Sequence, residues 1–172
     1  MIKNNLNYTI NEPAWQQTLP EAEHLSGEVF ALVLDYVKAH EDIDFLSIGK
    51  PINVNLCLSN DDEVHGLNKE FRGKDSPTNV LSFANIDDES FDELCQTEDE
   101  IELGDIIIAL ETMQRESTLQ DISFHDHYCH LLTHGLLHLL GYDHIEEDEA
   151  EHMESFEIEI LKQLNINNPY EE

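Results

Sequence analysis

Three histidines near the C-terminal end of the sequence have the residue type and spacing of a metal site. His134, His138 and His144 lie in the segment HGLLHLLGYDH. Helical residues four apart share one face, about 6 Å apart along the axis, so the first two imidazoles point the same way. Gly141 favours the left-handed turn that ends a helix, which would return His144 to the same point. Three imidazoles at one point predict a transition-metal site, with one zinc ion expected per chain.

The same segment also predicts what kind of zinc site this is. Three protein ligands leave a fourth position for water, which is typical of catalytic zinc. The spacing matches H-E-x-x-H-x-x-G-x-x-H of metzincin proteases, in which the Glu after the first histidine is the general base. Here that residue is Gly135, so we predict no peptidase activity. The alternative is a buried amphipathic helix whose histidines are merely hydrogen-bonded in the core.

A second candidate group lies upstream in NKEFRGK and PTNVLSF. Arg72 is one of only two arginines, and it stands directly before a glycine and a predicted turn. A guanidinium is planar and always charged, which suits it to a phosphate. An ordinary exposed arginine at a helix end is the alternative. Asn79 and Ser82 fit either the edge of a site or simple turn and strand positions.

The charge of the chain limits its partners. The 172 residues carry a formal net charge of −30, and such a surface repels polyanions. However, Lys69, Arg72 and Lys74 fall within six positions and could form a local basic strip. The cysteines are three in number and lack C-x-x-C spacing, which favours a reducing compartment. With no signal sequence or membrane span evident, we expect a soluble cytoplasmic protein without a membrane partner.

The hydrophobic pattern predicts one α+β domain over residues 1–172, with a sheet of about four strands covered by helices. The expected strands are 6–10, 52–58, 79–84 and 103–110. The expected helices are 60–71, 124–140 and 146–164. Two further helices are expected, one that begins after an N-cap at Ser26 and one that begins at about residue 111. The metal site is expected at the end of the long apolar helix 124–140. Residues 85–102 carry nine acidic residues and no Lys or Arg, which favours a mobile acidic loop.

Taken together, these segments resemble the YbeY family of bacterial metal-dependent endoribonucleases that act in ribosomal RNA maturation. The resemblance rests on HGLLHLLGYDH at 134–144, NKEFRGKDSPTNVLSF at 68–83 and LGDI at 103–106, and covers about the last two-thirds of the chain. It implies that His134, His138 and His144 bind the metal and that Arg72 is the functional arginine beside it. Asn79 stands where many relatives carry Asp, so a proton-transfer role there is not expected.

The resemblance also implies a substrate and partners. The implied substrate is single-stranded or ribosomal RNA, and the implied tasks are 16S rRNA 3′ end maturation and ribosome quality control. The implied partners are small-subunit ribosomal proteins, which the acidic surface could contact. Metal-activated water and the RNA 2′-OH both remain candidate nucleophiles, and the oligomeric state stays open. Asp143 is either a carboxylate that orients a ligand histidine or a turn residue, and His130 is expected to be a polar histidine of the core or the rim rather than a fourth ligand. A metallohydrolase of another substrate and a non-catalytic zinc-containing assembly factor are the alternative functions.

Overall fold

The structure is a computed structural model that describes residues 4–76 and 78–170. Residues 1–3, Pro77 and residues 171–172 of the predicted domain therefore lie outside the described part. In chain order the elements are β1 (Asn5–Ile10), α1 (Trp15–Thr18), α2 (Ala22–His40), α3 (Asp44–Ser47), β2 (Ile52–Ser59), α4 (Asp61–Arg72), β3 (Val80–Ala84), a 3-10 helix (Asn85–Asp87), α5 (Phe91–Thr97), β4 (Ile101–Ala109), α6 (Leu110–Leu119), α7 (Phe124–Leu139) and α8 (Glu147–Gln163).

The four strands of the described residues form one mixed sheet in the order β1-β2-β4-β3. The first three are parallel, and β3 pairs antiparallel with β4 at the edge. Residues of β2 alternate between the two faces, and Val54, Leu56 and Leu58 are buried as the alternation predicted. The predicted α+β class with a four-stranded sheet is confirmed.

Helices α2, α7 and α8 pack together, and α7 also contacts β3 and β4. Their apolar faces and one face of the sheet enclose the main core, which includes Trp15, Leu56, Ile106 and Leu132. Helix α4 contacts β3 and β4, where Val64, Leu81 and Ala109 form a smaller cluster. The opposite face of the sheet is only partly covered and carries a groove lined by residues of all four strands and of α4.

Two sequence expectations about local structure need correction. Ser26 does not cap a helix, because α2 begins at Ala22; its buried hydroxyl lies 2.6 Å from that of Tyr128. Residues 85–102 are not a loop throughout, because they contain the 3-10 helix, α5 and the start of β4. Phe91 and Cys95 of α5 are only 4% exposed each. Burial of these two side chains holds the segment against the core, although its many acidic residues favoured exposure to solvent.

No helix among the described residues is long and apolar enough to cross a membrane. All three cysteines are free thiols.

Candidate metal centre

Helix α7 carries the first two histidines in its last two turns. The Ser123 side chain caps the N-terminus by accepting a hydrogen bond from the Asp126 N–H at 3.1 Å. Buried leucines then fix the rotation of the helix: Leu131, Leu132, Leu136, Leu137 and Leu139. With these side chains in the core, His134 and His138 face the opposite side and line a surface cleft.

The turn after α7 brings the third histidine to the first two. The Gly141 N–H donates to the His138 carbonyl at 3.0 Å, and the Tyr142 N–H donates to the Leu137 carbonyl at 3.0 Å. Gly141 has φ of 104°, a conformation that residues with a side chain rarely adopt. This confirms the glycine-dependent turn, and the chain reverses so that His144 returns to the cleft.

The three imidazoles converge as the spacing predicted. One ring nitrogen from each of His134, His138 and His144 lies within 4.8 Å of the other two. The ring centroids of His134 and His138 are 4.5 Å apart, and His144 lies 5.3 Å and 5.1 Å from them. The Nε2 atoms of His134 and His138 are 3.0 Å apart. Two lone pairs this close repel unless a proton or a cation lies between them, so the donor set fits a shared metal ion.

The other nitrogen of His138 is fixed by a backbone carbonyl. Nδ1 lies 2.9 Å from the Tyr142 oxygen, and a carbonyl can only accept, so Nδ1 carries the proton. Nε2 is therefore left as the metal-binding atom. Burial first, and then the neighbouring His134 and His144, together lower the pKa of His138 to about 4. The ring is thus neutral at physiological pH, as a metal ligand must be.

The structure adds a residue that the sequence interpretation missed, namely Glu157 of α8. Its side chain is 1% exposed, and Oε2 lies 3.3 Å from Nδ1 of His134. Its other oxygen accepts hydrogen bonds from His130 Nε2 at 2.7 Å and from the Tyr170 hydroxyl at 2.9 Å. Burial alone would raise the pKa of Glu157, but the hydrogen bonds and charges of His130 and His134 hold it at about 2. A carboxylate behind a ligand histidine fixes its orientation and increases its basicity.

A signal for Glu157 was present in the sequence. Met153, Phe156, Ile160 and Leu161 are buried in α8, and a residue at position 157 falls on the same helical face. A charged residue on an apolar face is rarely buried without a partner. That partner was not identifiable, because it lies on another helix.

His130 and Asp143 take the less specialised of their possible roles. His130 lies outside the three-histidine cluster and lines the cleft rim. The Asp143 carboxylate accepts from the backbone N–H of His144 at 2.7 Å. Its distance to His144 Nδ1 is 3.9 Å, which is too long for a hydrogen bond. The observed contact of Asp143 is therefore that of a turn residue.

Arg72 and the histidines line the same cleft, of about 680 Å³. Arg72 is the last residue of α4, which ends because Gly73 adopts a left-handed φ of 68°. Its Nη2 donates to the Ser82 carbonyl, and its guanidinium carbon lies 5.3 Å from the Phe83 ring centroid. These contacts hold the cation on β3 at the wall of the cleft. The segment 68–83, which contains Arg72, and the segment 134–144, which contains the histidines, thus line one cleft.

Neither Asn79 nor Gly135 offers a free functional group to the cleft. The Asn79 amide donates to the Glu116 carboxylate at 3.0 and 3.2 Å, which supports a structural role. Gly135 faces the sheet, where an added Cβ would lie 3.2 Å from Ser82 Oγ and 3.3 Å from Ile106 Cδ1. A side chain at this position would point into β3 and β4. The position occupied by a general base in metzincins is therefore packing surface in this fold.

The fold and site together define an α+β protein with a cluster of three histidines that could hold a metal ion, in a cleft that also holds an arginine. The sequence model described as Endoribonuclease YbeY matches residues 9–165. The chain is 41% identical over 160 residues to Endoribonuclease YbeY of Paramagnetospirillum magneticum, covering 93% of this chain and 92% of that protein. For the Zymomonas mobilis protein of the same name, identity is 48% over 156 residues, covering 90% and 81%.

A relative from Allorhizobium ampelinum with the same name is 39% identical over 170 residues, covering 99% of this chain and 96% of the relative. The solution structure of a Thermotoga maritima protein superposes with a TM-score of 0.55 at 20% identity, covering 98% of this chain and all of that chain. That likeness supports the fold. The family match and the relatives show that the chain belongs to the endoribonuclease YbeY family.

Proposed function

We propose that this protein is a zinc-dependent endoribonuclease that cleaves single-stranded RNA during ribosomal RNA processing. Membership of the YbeY family supports the endoribonuclease activity. The observation that carries the proposal is the cleft that is lined both by Arg72 and by His134, His138 and His144. Maturation of the 16S rRNA 3′ end and ribosome quality control are the specific tasks proposed.

Zinc is proposed because of the donor set. Imidazole nitrogens suit zinc and other borderline transition metals, whereas magnesium and calcium prefer carboxylate, carbonyl and water oxygens. The ligand atoms come from His134, His138 and His144. When bound there, zinc supplies a Lewis acid that polarises a phosphoryl oxygen and activates water at neutral pH.

The residues of the chain have separate tasks in this proposal. Arg72 binds the reacting phosphate and neutralises charge that grows on its oxygens in the transition state. Glu157 holds His134 in one orientation through Nδ1. His144, with a side chain 58% exposed, borders the open side of the cleft, where substrate enters.

Single-stranded RNA is the proposed substrate because the basic surface is small. Three of the eight Lys and Arg residues lie at Lys69, Arg72 and Lys74, and the chain as a whole carries −30. A duplex needs many phosphate contacts along its length, which this surface does not offer. Small-subunit ribosomal proteins are the proposed partners, since basic proteins complement the acidic surface and would bring the RNA to the cleft. The ribosomal substrate and three free cysteines support a cytoplasmic location.

Peptide hydrolysis is disfavoured because Gly135 offers no general base, and a side chain there would be crowded by Ser82 and Ile106 of the sheet. The test of the proposal uses one labelled oligoribonucleotide, alone and annealed to its complement, incubated with the zinc-loaded protein. Cleavage of the single strand that stops with a chelator and is much slower on the duplex supports the proposal. Equal cleavage of both forms contradicts single-strand specificity. Chelator-resistant cleavage contradicts metal dependence, and no cleavage favours a non-catalytic assembly factor.

A further inference from the structure

An exposed aromatic ring stands beside Arg72 at the end of α4. Phe71 is 63% exposed, and its ring packs edge-to-face on Phe83 of β3, with centroids 5.8 Å apart and an interplanar angle of 73°. Phe83 is itself half-buried and carries the Arg72 guanidinium at 5.3 Å. The result is a ridge of two rings joined to a cation, held by a helix end and a strand.

This aromatic ridge separates two concave surfaces that lie next to each other. On one side is the histidine cleft, lined by Arg72, Ser82 and Ala84. On the other side is a groove of about 480 Å³ on the open face of the sheet, lined by Leu67, Phe71 and Phe83 among others. Its volume is within the range of small-molecule binding sites. A strand that leaves the metal centre past Arg72 therefore crosses the rings into this groove.

The floor of the groove includes a polar row across β1, β2 and β4 that continues to Phe83 on β3. Asn7, Asn55, Asp105 and Phe83 are cross-strand neighbours in register. Asn7 Nδ2 donates to Asn55 Oδ1 at 3.0 Å, and Asn55 Nδ2 donates to Asp105 Oδ1 at 2.9 Å. The Asp105 carboxylate disfavours a phosphate here, whereas amides and a carboxylate can hydrogen-bond the edge of a base. Groove and ridge together therefore suit a nucleobase, while Arg72 suits the adjacent phosphate.

The distribution of positive charge favours the same path for the RNA strand, from the histidine cleft past Arg72 to the ridge. Lys69 and Lys74 flank the ridge in sequence, and Lys74 lines the cleft. The remaining five Lys and Arg residues are scattered singly along the chain. A polyanion leaving the cleft is least repelled where these cations stand.

We propose that Phe71 and Phe83 form a stacking site for an unpaired base of the RNA whose neighbouring phosphate is bound by Arg72. This site rests on the proposed endoribonuclease function and specifies how its substrate is held. Aromatic rings accept any base through its π-face, so the site binds unpaired RNA without strong sequence preference. A base in a duplex cannot reach the ring, which gives single-strand specificity a physical origin.

The test compares three substitutions at Phe71 in the zinc-loaded protein. We expect Phe71→Ala to raise KM for an unstructured oligoribonucleotide about tenfold, the typical loss of one stacked base. The value of kcat should change by less than about threefold, because the contact is equal in ground and transition states. Phe71→Tyr should keep native KM, and Phe71→Leu should behave like Phe71→Ala, because leucine keeps apolar area but has no π-face. Leu119→Ala, which truncates another exposed apolar side chain, is the control.

A substrate series separates stacking from structure. Single abasic sites are placed one nucleotide at a time on each side of the cleavage position. The native protein should show a raised KM at a particular position, and Phe71→Ala should be insensitive to that same abasic site. Native KM for Phe71→Ala, or identical abasic profiles for both proteins, overturns the stacking site while native cleavage leaves the proposed function intact. No cleavage of any substrate by the native protein overturns the proposed function itself. Thermal unfolding and zinc content of each variant show that the fold is retained.

Discussion

The buried carboxylate of Glu157 lies 3.3 Å from Nδ1 of His134, the ring nitrogen opposite the one that faces His138. The pair joins α8 to α7 directly behind the metal site. Because His130 and Tyr170 occupy the other carboxylate oxygen, Glu157 is held from both sides. The orientation of one histidine of the cluster thus depends on a residue that does not itself line the cleft.

The first prediction concerns this pair. Glu157→Gln keeps the shape of the side chain but removes the charge that makes His134 a better ligand. We expect zinc affinity to fall roughly 10- to 100-fold, the usual effect of losing such a partner. Competition between the protein and a chromogenic chelator measures the affinity. Glu159→Gln, an exposed position of the same helix, should retain native affinity. Native affinity in Glu157→Gln would assign the carboxylate to packing alone.

The second prediction concerns Arg72. Arg72→Ala should retain the fold and the zinc but lose roughly 10² to 10³ in single-turnover rate, the typical effect of one electrostatic contact to a transition state. Arg72→Lys should recover only part, since an ammonium cannot bind two oxygens in one plane. The rate is measured on one oligoribonucleotide, with zinc content determined in parallel. Arg115→Ala removes the other arginine as a control. A rate for Arg72→Ala within about threefold of native would remove Arg72 from the site.

The third prediction tests the packing of Gly135. Gly135→Glu places the metzincin residue where Ser82 and Ile106 leave no room, so the free energy of unfolding should fall by about 1–3 kcal/mol or more. Thermal unfolding should show a melting temperature lower by several degrees. Gly27→Glu adds the same charge at an exposed helical glycine with no atom within 4 Å of an added Cβ, and it should be nearly neutral. Peptidase activity gained by a stable Gly135→Glu variant would show that the position faces the metal.

The fourth prediction concerns α5, which lies within the segment 85–102 that was predicted to be a mobile loop. Lys50 Nζ donates to the carbonyls of Cys95, Gln96 and Glu98 at 2.7, 3.0 and 2.8 Å, and so satisfies the C-terminal end of that helix. Lys50→Met keeps the stem and removes the donor, so amide exchange in 91–97 should accelerate roughly tenfold or more. Hydrogen exchange followed by mass spectrometry measures this. Lys38→Met is the matched control.

For the same segment, exchange at unfolded-chain rates in the native protein would restore the interpretation of a mobile acidic loop. Slow exchange that is unaffected by Lys50→Met would mean that Phe91 and Cys95 alone hold the helix. The experiment therefore separates the mobility of the segment from its local structure.

Periodic elements were predictable because their signals are local. The alternation in INVNLCL indicates the buried face of β2, and the spacing of the leucines indicates the buried face of α7. The turn at Gly141 follows from the conformational freedom of glycine. The convergence of His134, His138 and His144 follows from these two local features. The sequence alone was therefore sufficient to predict that these three imidazoles converge.

Features that depend on distant partners were not predictable in the same way. Ser26 has the residue type of a helix cap, but Tyr128 lies across the core, 102 positions along the chain. Glu157 stands out from the other acidic residues by its place on the apolar face of α8, but its partners His130, His134 and Tyr170 come from other parts of the chain. In α5, the burial of Phe91 and Cys95 against the rest of the fold favours a docked helix more than the surrounding acidic residues favour an exposed loop.

Metal reconstitution tests the central claim, that the three-histidine centre is where RNA is cleaved. Metal-free protein is titrated with zinc while the cleavage rate of a labelled unstructured oligoribonucleotide is followed. The rate should rise linearly and stop at about one zinc ion per chain, the stoichiometry of a single three-histidine site. His138→Ala should stay at background at every zinc ratio, while His125→Ala, at the start of the same helix, should follow the native protein. Full cleavage before zinc is added, or zinc-restored cleavage by His138→Ala, would contradict the account.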